Sequence, residues 1–359
     1  MKHWQETERL LDRLLRPGSP QRAALAVVVR IEGSAYRRPG AKLLIEEKGT
    51  GLGGVSGGCL EEDVRQVGRE VLRSGQPQLR HYDTSTDETK VWGLGLGCNG
   101  RVDVFVQPVA TDREREVWSR VKERLHGDAS FAIVTLIDGP GAPGVQLVDA
   151  AGGVTGTLGD PDLDREAQGL ARSALLARGS RVRALGSRQL FIEVLAPPPR
   201  LLICGAGDDA MPLAAYAAGV GFRVLVADHR AAYLSEERFP EARARFLRRP
   251  EEDLGDLPLG AETYAVVMMH SLEHDREWVR RLLATDIPYV GLLGPRARTE
   301  KILSDIGAVG RELVYGPVGL DLGADGPEQV ALAILAEVLA VKSEREPLHL
   351  REKEATVHA

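Results

Sequence analysis

Along the first half of the chain, the spacing of apolar and polar positions changes several times. Leu10, Leu11, Leu14 and Leu15 recur at helical spacing and stop at Pro17-Gly18, which predicts an amphipathic opening helix. The run "AALAVVVRI" is continuous and rich in β-branched residues, as a buried strand requires. "EGSAYRRPGAKLLIEEKGTGLGGVSGG" then alternates short apolar stretches with glycine and proline, predicting short strands and turns. Leu60, Val64, Val67 and Val71 return to helical spacing until Gly75 and Pro77. "RVDVFVQP" alternates as a half-buried strand, residues 112–125 suit a helix, and "SFAIVTLID" suits another strand. Further strands fit around 145–149, 182–185 and 189–195, with a helix near 163–178. No internal repeat is evident, and the first half lacks a clean βαβ rhythm.

The stretch "APPPR", residues 196–200, is the clearest boundary, because three consecutive prolines cannot sit in a helix or a central strand. Beyond it, "LLICGAG", "FRVLVAD", "YAVVMMH" and "IPYVGLLG" are short apolar runs separated by helical segments, the pattern of a doubly wound parallel sheet. The expected fold class is therefore α/β, with a mixed N-terminal domain over 1–195 and a proline linker over 196–200. A Rossmann-like domain over 201–342 and a charged tail over 343–359 complete the expected order.

Length and charge narrow the function classes. At 359 residues, two domains are expected. A net charge of −6 and the lack of a long basic block argue against nucleic-acid binding. The one dense basic run, Arg243 to Arg249, is followed at once by Glu251, Glu252 and Asp253 and reads as a solvated face. No signal peptide and no membrane-spanning apolar stretch are visible. Three cysteines suit free thiols in a reducing cytoplasm.

Two glycine-rich regions carry candidate chemistry. "LLICGAGDDA" places Gly205 and Gly207 between a strand and a helix, the arrangement that lets a backbone approach a pyrophosphate. Asp228 ends the next strand, where an acid suits a ribose hydroxyl pair. Asp208 and Asp209 complement the helix dipole but would repel a phosphate over the loop. His270 and Arg296 end or follow later strands, so they should face the same crevice, while Cys204 suits a core position. His274 and Asp275 suit helix capping, and Asp325 suits the N-cap of the last helix ahead of Pro327.

The second region holds "GLGGVSGGCLEEDV" and "WGLGLGCNGRVDV". Cys59 stands just before a helix, whose N-terminus favours a thiolate, whereas Glu61, Glu62 and Asp63 oppose it. Cys59 and Cys98 could contact a metal or a sulfur-rich ligand, or simply pack in tight turns. With no C-x-x-C and no adjacent histidine, zinc is disfavoured.

"EGSAYRRPGAKLLI", "GGVSGGCLEEDV", "GLGLGCNGRVDVFVQP", "VADHR" and "GPVGLDLGADGPEQVALAILAEV" together resemble the XdhC/CoxI family, the xanthine dehydrogenase accessory factors, from about residue 20 to 342. The resemblance implies a cytoplasmic maturation factor that binds molybdenum cofactor, supports its sulfuration by a cysteine desulfurase and delivers it to an apo molybdenum hydroxylase. It implies cofactor contacts at Gly57, Gly58, Cys59 and Cys98, with the two cysteines nearest the molybdenum, and a nucleotide-type site at Gly205, Gly207 and Asp228. Arg37 and Arg38 are candidates for the cofactor phosphate. A homodimer is expected as the commonest closed assembly. Two other readings remain open. One is an NAD(P)-dependent oxidoreductase with His270 as acid/base and Arg296 orienting an anion. The other is a nucleotide-sensing module that regulates docking.

Overall fold

The computed structural model describes residues 2–18, 22–33, 35–47, 51–83, 100–109, 111–138 and 144–352. Two compact units divide between Pro197 and Pro198.

The N-terminal unit runs the same course twice. Its first pass is α1 (Lys2–Leu14), β1 (Ala23–Gly33), β2 (Lys42–Glu46), β3 (Gly51–Gly53), α2 (Glu61–Ser74), β4 (Gln78–Asp83) and β5 (Gly100–Val109). The second is α3 (Asp112–Leu125), β6 (Phe131–Asp138), β7 (Val145–Asp149), β8 (Val154–Thr157), α4 (Pro161–Leu176), β9 (Arg181–Leu185) and β10 (Arg188–Leu195). Each pass builds one five-stranded sheet with antiparallel pairing, ordered β3-β2-β1-β5-β4 and β8-β7-β6-β10-β9.

The likeness extends to irregularities. The β1–β5 register shifts between Val28 and Arg30, and the β6–β10 register shifts at the equivalent place, next to Gln189. Gly53 and Gly156 both take a positive φ, 95° and 89°. A Cβ there would lie 2.3 Å from the Lys42 carbonyl oxygen in one case and 2.2 Å from that of Val145 in the other. Only glycine fits such an approach. Arg13 at the end of α1 holds Glu46 at 2.6 Å, and Arg124 at the end of α3 holds Asp149 at 2.7 Å. The expectation of no internal repeat is thus corrected: a structural duplication is present, and it escapes the sequence because the two passes keep backbone geometry rather than residue type.

Packing explains the continuous apolar strands. In β1, Ala24, Ala26 and Val28 face α2 together with Leu43, Ile45, Val64 and Val67. Leu25, Val27 and Val29 face the other way, into a core shared with α1, α3 and the second sheet, where Trp4, Trp118, Phe131 and Phe191 meet. Alternate side chains of a strand point to opposite faces, so a strand buried on both reads apolar throughout. The outer face of the second sheet packs on Ala167, Ala171 and Ala174 of α4. One charged pair sits inside this unit: the Lys42 ammonium meets Glu193, with further bonds to Thr7 Oγ1 at 3.2 Å and the Gly40 carbonyl at 3.0 Å.

The C-terminal unit is a six-stranded parallel sheet. Its elements are β11 (Arg200–Cys204), α5 (Ala210–Val220), β12 (Arg223–Asp228), β13 (Ala244–Leu247), β14 (Thr263–Val267), α6 (Leu272–Leu282), β15 (Tyr289–Leu292), α7 (Arg296–Asp305), β16 (Val314–Tyr315) and α8 (Pro327–Lys342). The strand order is β13-β12-β11-β14-β15-β16, the Rossmann order, so chain direction across the sheet reverses between β11 and β14. Helices α5 and α8 cover one face and α6 with α7 the other. Two capping expectations are corrected. Gly326, not Asp325, is the N-cap of α8, and the Asp325 N–H donates to the Gln329 side chain four residues on. Ser271, not His274 or Asp275, caps α6 by accepting the His274 N–H. Among the described residues, no helix is long and apolar enough to cross a membrane.

Candidate functional site

The turn between β3 and α2 carries Cys59. Ser56 and Glu61 order it. The Glu61 carboxylate accepts the N–H groups of Val55 at 3.2 Å and Ser56 at 2.8 Å, and also the Ser56 hydroxyl. The Ser56 oxygen in turn accepts the N–H groups of Gly58 and Leu60, both at 3.1 Å. Burial by itself would raise the Glu61 carboxyl, but the bonds from the Ser56 hydroxyl and the backbone of Ser56, Glu61 and Val55 outweigh it and hold it below its usual range. Gly58 takes φ 120°, which a larger residue would adopt only with strain.

Cys59 is half-buried and packs on the α2 face of the first sheet, beside Ile31 and Ala35. A small cavity of about 30 Å³ adjoins it, walled by Tyr36, Arg37, Val55, Ser56 and Val102. The three acids that follow Cys59 are each engaged elsewhere. Glu61 serves the turn, Glu62 pairs with Arg69 at 3.2 Å, and Asp63 accepts the Tyr82 hydroxyl at 2.5 Å. The Gly57 and Cys59 N–H groups, by contrast, make no hydrogen bond among the described residues.

Arg37 lies at this cavity, but its guanidinium is committed to Glu6 through a two-point ion pair, with one contact at 3.1 Å. Arg38 is exposed. Cys98 and Asn99 fall outside the described residues. Among the described residues, no group of three His, Cys, Asp or Glu is gathered to hold a metal.

In the C-terminal unit the glycine loop lies at the reversal point between β11 and β14, where open α/β sheets place ligands. Gly205 takes φ 119°, and a Cβ there would lie 2.5 Å from the Met268 carbonyl oxygen. Asp228 corrects an expectation. It is fully buried and its two oxygens are already taken, by the Ala206 N–H at 2.7 Å, the Arg230 N–H at 2.8 Å and the Arg230 guanidinium at 2.8 and 2.9 Å. Burial would raise this carboxyl, yet the Arg230 and backbone bonds together hold it below its usual range. Asp228 thus ties the glycine loop to the β12 end and offers no free oxygen to a ribose.

The sequence did not single out Arg230, Tyr233 or Arg238. The Arg230 guanidinium lies over the Tyr233 ring at 3.9 Å, and Arg238 lies 5.1 Å from the same ring. Arg238 also bonds the Ala206 carbonyl at 3.2 Å and Asp208 at 2.8 Å, so the first of the two loop acids is neutralised. His270 pairs with the second, Asp209, at 3.3 Å from a left-handed backbone with φ 58°. Arg296 is exposed at the start of α7. It is Arg298 that turns inward, to Asp275 at 2.5 Å, while Asp275 accepts the Met269 N–H at 3.0 Å. Cys204 is buried, and burial followed by the nearby Asp275 charge pushes its thiol well up, as suits a core residue.

Comparison with known proteins agrees with both units. The XdhC and CoxI family model matches residues 18–83, and the XdhC Rossmann domain model matches residues 201–338. A protein of Bacillus subtilis described as a probable xanthine dehydrogenase subunit is 34% identical over 333 residues, covering 93% of this chain and 96% of the relative. The molybdenum cofactor insertion chaperone PaoD of Escherichia coli is 22% identical, over 90% of this chain and 85% of its own. A crystal structure of a xanthine dehydrogenase from Bacillus halodurans superposes with a TM-score of 0.78 at 29% identity, covering 95% of this chain and 97% of that one. With 34% identity to the Bacillus subtilis relative over nearly its whole length, and with a matching model on each unit, this chain belongs to the XdhC/CoxI family.

Proposed function

We propose that this chain is a maturation factor that binds molybdenum cofactor, supports its sulfuration and hands it to an apo molybdenum hydroxylase. The reading draws on two relatives, one named for xanthine dehydrogenase and one for molybdenum cofactor insertion. The observation that carries it is the Cys59 turn. A half-buried thiol stands beside backbone N–H groups that are unpartnered among the described residues, and the acids that would repel an anionic ligand are turned to other partners.

The donor set fits such a group. A soft sulfur ligand suits a thiol, and free N–H groups suit an anionic dithiolene or phosphate. The adjoining cavity of about 30 Å³ is too small to enclose a pterin, so the cofactor would lie across the turn with Cys59 as its inner contact. Arg38, exposed and next in sequence to Arg37, would meet its phosphate, and Arg37 would have to leave Glu6 to join it. When bound, the cofactor supplies the redox chemistry of the enzyme that finally receives it. The chain itself holds the group, shields one side of it and releases it. Sulfur would come from a cysteine desulfurase, and the work would take place in the cytoplasm, with the chain as a homodimer.

In the C-terminal crevice, Gly205, Gly207 and the Arg230–Tyr233 pair would hold a nucleotide part, either of the cofactor or of NAD(P). An oxidoreductase would use His270, which lies 3.3 Å from Asp209, as its acid/base.

The test is to purify the protein from cells that make the cofactor and oxidise what is bound to its fluorescent pterin. The same preparation is then mixed with an apo molybdenum hydroxylase. Near-stoichiometric pterin and restored hydroxylase activity are expected. Protein free of pterin that activates nothing would overturn the proposal.

A further inference from the structure

The basic run from Arg243 to Arg249 divides along β13. Arg243 is exposed at the entry to the strand, the opposite end from the glycine loop. Arg245 turns in to the Phe239 and Ala242 carbonyls at 2.7 and 3.3 Å, and Arg248 holds Asp256 at 2.6 Å and the Asp253 carbonyl at 2.5 Å. Arg249, just past the exit from β13, is exposed, and its guanidinium meets no acid among the described residues. The Glu252 carboxylate accepts the Arg249 backbone N–H at 3.1 Å instead. One cation of the run is thus left over, at the strand ends where open α/β sheets bind ligands.

Its neighbours come from the end of the adjacent strand. The Arg248 N–H donates to the Asp228 carbonyl at 2.9 Å, so β12 and β13 end side by side, with His229 and Arg230 beyond one and Arg249 beyond the other. His229 feels these charges: its pKa is held down, first by burial and then, against the effect of Asp228, by His274, Arg230 and Arg249. Arg230 spends its Nε and Nη2 on Asp228 and lies over the Tyr233 ring, while its Nη1 makes no hydrogen bond among the described residues. Asp228, Asp208 and Asp256 are already paired, with Arg230, Arg238 and Arg248. In a nucleotide crevice of this fold, the end of the second strand meets the nucleoside ribose. A plain ribose diol needs a carboxylate acceptor there, and Asp228 is closed to it. A phosphate on that ribose needs cations, and the Arg249 and Arg230 guanidinium groups supply them.

We propose that this edge of the C-terminal crevice binds a nucleotide carrying a phosphomonoester on its ribose, with Arg249 and the outer side of Arg230 as the cations that hold it. NADP, phosphorylated at the 2′ position, and coenzyme A, phosphorylated at the 3′ position, share that chemistry. The proposal rests on the reading of this crevice as a nucleotide site and names what that site selects. It uses neither Cys59 nor its turn.

The test is calorimetric titration of the full chain with two pairs of ligands, NADP against NAD and coenzyme A against dephospho-coenzyme A. In at least one pair the phosphorylated member should bind below about 1 mM and at least about tenfold more tightly than its partner. The pair that shows the larger preference identifies the source. Arg249→Ala, a surface change, should cut that preference at least about fivefold. Arg243→Ala removes the same charge from the other end of β13 and should leave the preference intact. Equal binding within both pairs would overturn the proposal and spare the nucleotide reading of the crevice, whereas no binding by any of the four would overturn both. An Arg249→Ala variant with undiminished preference, or an Arg243→Ala variant that loses it equally, would overturn the proposal as well.

Discussion

Glu61 and Asp164 do the same work in the two passes of the N-terminal unit. Each belongs to the first turn of its helix and reaches back to a buried residue's N–H, Val55 at 3.2 Å and Leu158 at 2.6 Å. Gly53 and Gly156 stand at the same sequence spacing from each other as these acids do, and so do Gly75 and Arg178, which both take left-handed backbone at the helix end. In one pass the turn so held carries Cys59, and the equivalent position in the other is Asp162, already in the first turn of α4.

Glu61 should therefore govern the order of the cysteine turn. Its carboxyl lies below its usual range in the folded protein, so the stability it contributes is present above the ordinary carboxylate pKa and is lost as pH falls through the lower, folded value. Glu61→Gln removes this pH dependence and costs about 1–3 kcal/mol, the worth of hydrogen bonds to a charged group. Chemical denaturation of wild type and variant between pH 7 and acid checks both points, and parallel curves would contradict the assignment.

The two positive-φ glycines should behave alike. Gly53→Ala and Gly156→Ala each force a Cβ within 2.3 Å of a carbonyl oxygen, on top of backbone strain of about 1–3 kcal/mol. Both variants should lose several degrees in thermal unfolding, while Gly152→Ala, with open space around it, should lose only the strain component.

Lys42 and Glu193 make a sharper contrast. Lys42→Met leaves a buried carboxylate unpaired and should cost about 3–5 kcal/mol, whereas the double change with Glu193→Leu should recover most of that loss. His3, close by, has its pKa pushed down to about 4, first by burial and then by Lys42. The unfolded chain then takes up protons more readily than the folded one, so N-terminal stability should fall as pH drops from about 6.5 towards 4. His3→Gln should flatten that part of the profile.

Asp228→Asn tests the reassignment of the strand-end acid. As a tie between the glycine loop and Arg230, it should cost about 1.5–3 kcal/mol of C-terminal stability whether or not a nucleotide is present. A variant of unchanged stability that loses only ligand affinity would restore the ribose role.

How much of this was legible in the sequence depends on what each feature rests on. The parallel sheet was legible because β11, β12, β14 and β15 are buried on both faces and spell continuous apolar runs. The glycine loop was legible because the close approach at Gly205 admits one residue type. The duplication was not, since equivalent positions differ in chemistry: Lys42 against Val145, Cys59 against Asp162, Gly75 against Arg178. Asp228 was misread because its fate is set by the direction of the turn at Arg230, which spacing does not reveal. Glu61 counted as a charge opposing the thiol, when its side chain folds back to hold the turn instead. Arg298, two residues from the expected Arg296, is the inward arginine because it lies further round the helix, facing Asp275.

If Cys59 touches a bound molybdenum cofactor, the amount of cofactor the protein retains must depend on that thiol. Wild type, Cys59→Ala, Cys98→Ala and the core control Cys204→Ala are purified from cells that make the cofactor, and bound pterin is measured per chain. Cys59→Ala should stay folded and retain a small fraction of the wild-type pterin, while Cys204→Ala should retain nearly all of it. Full retention by Cys59→Ala, with full activation of an apo molybdenum hydroxylase, would contradict it.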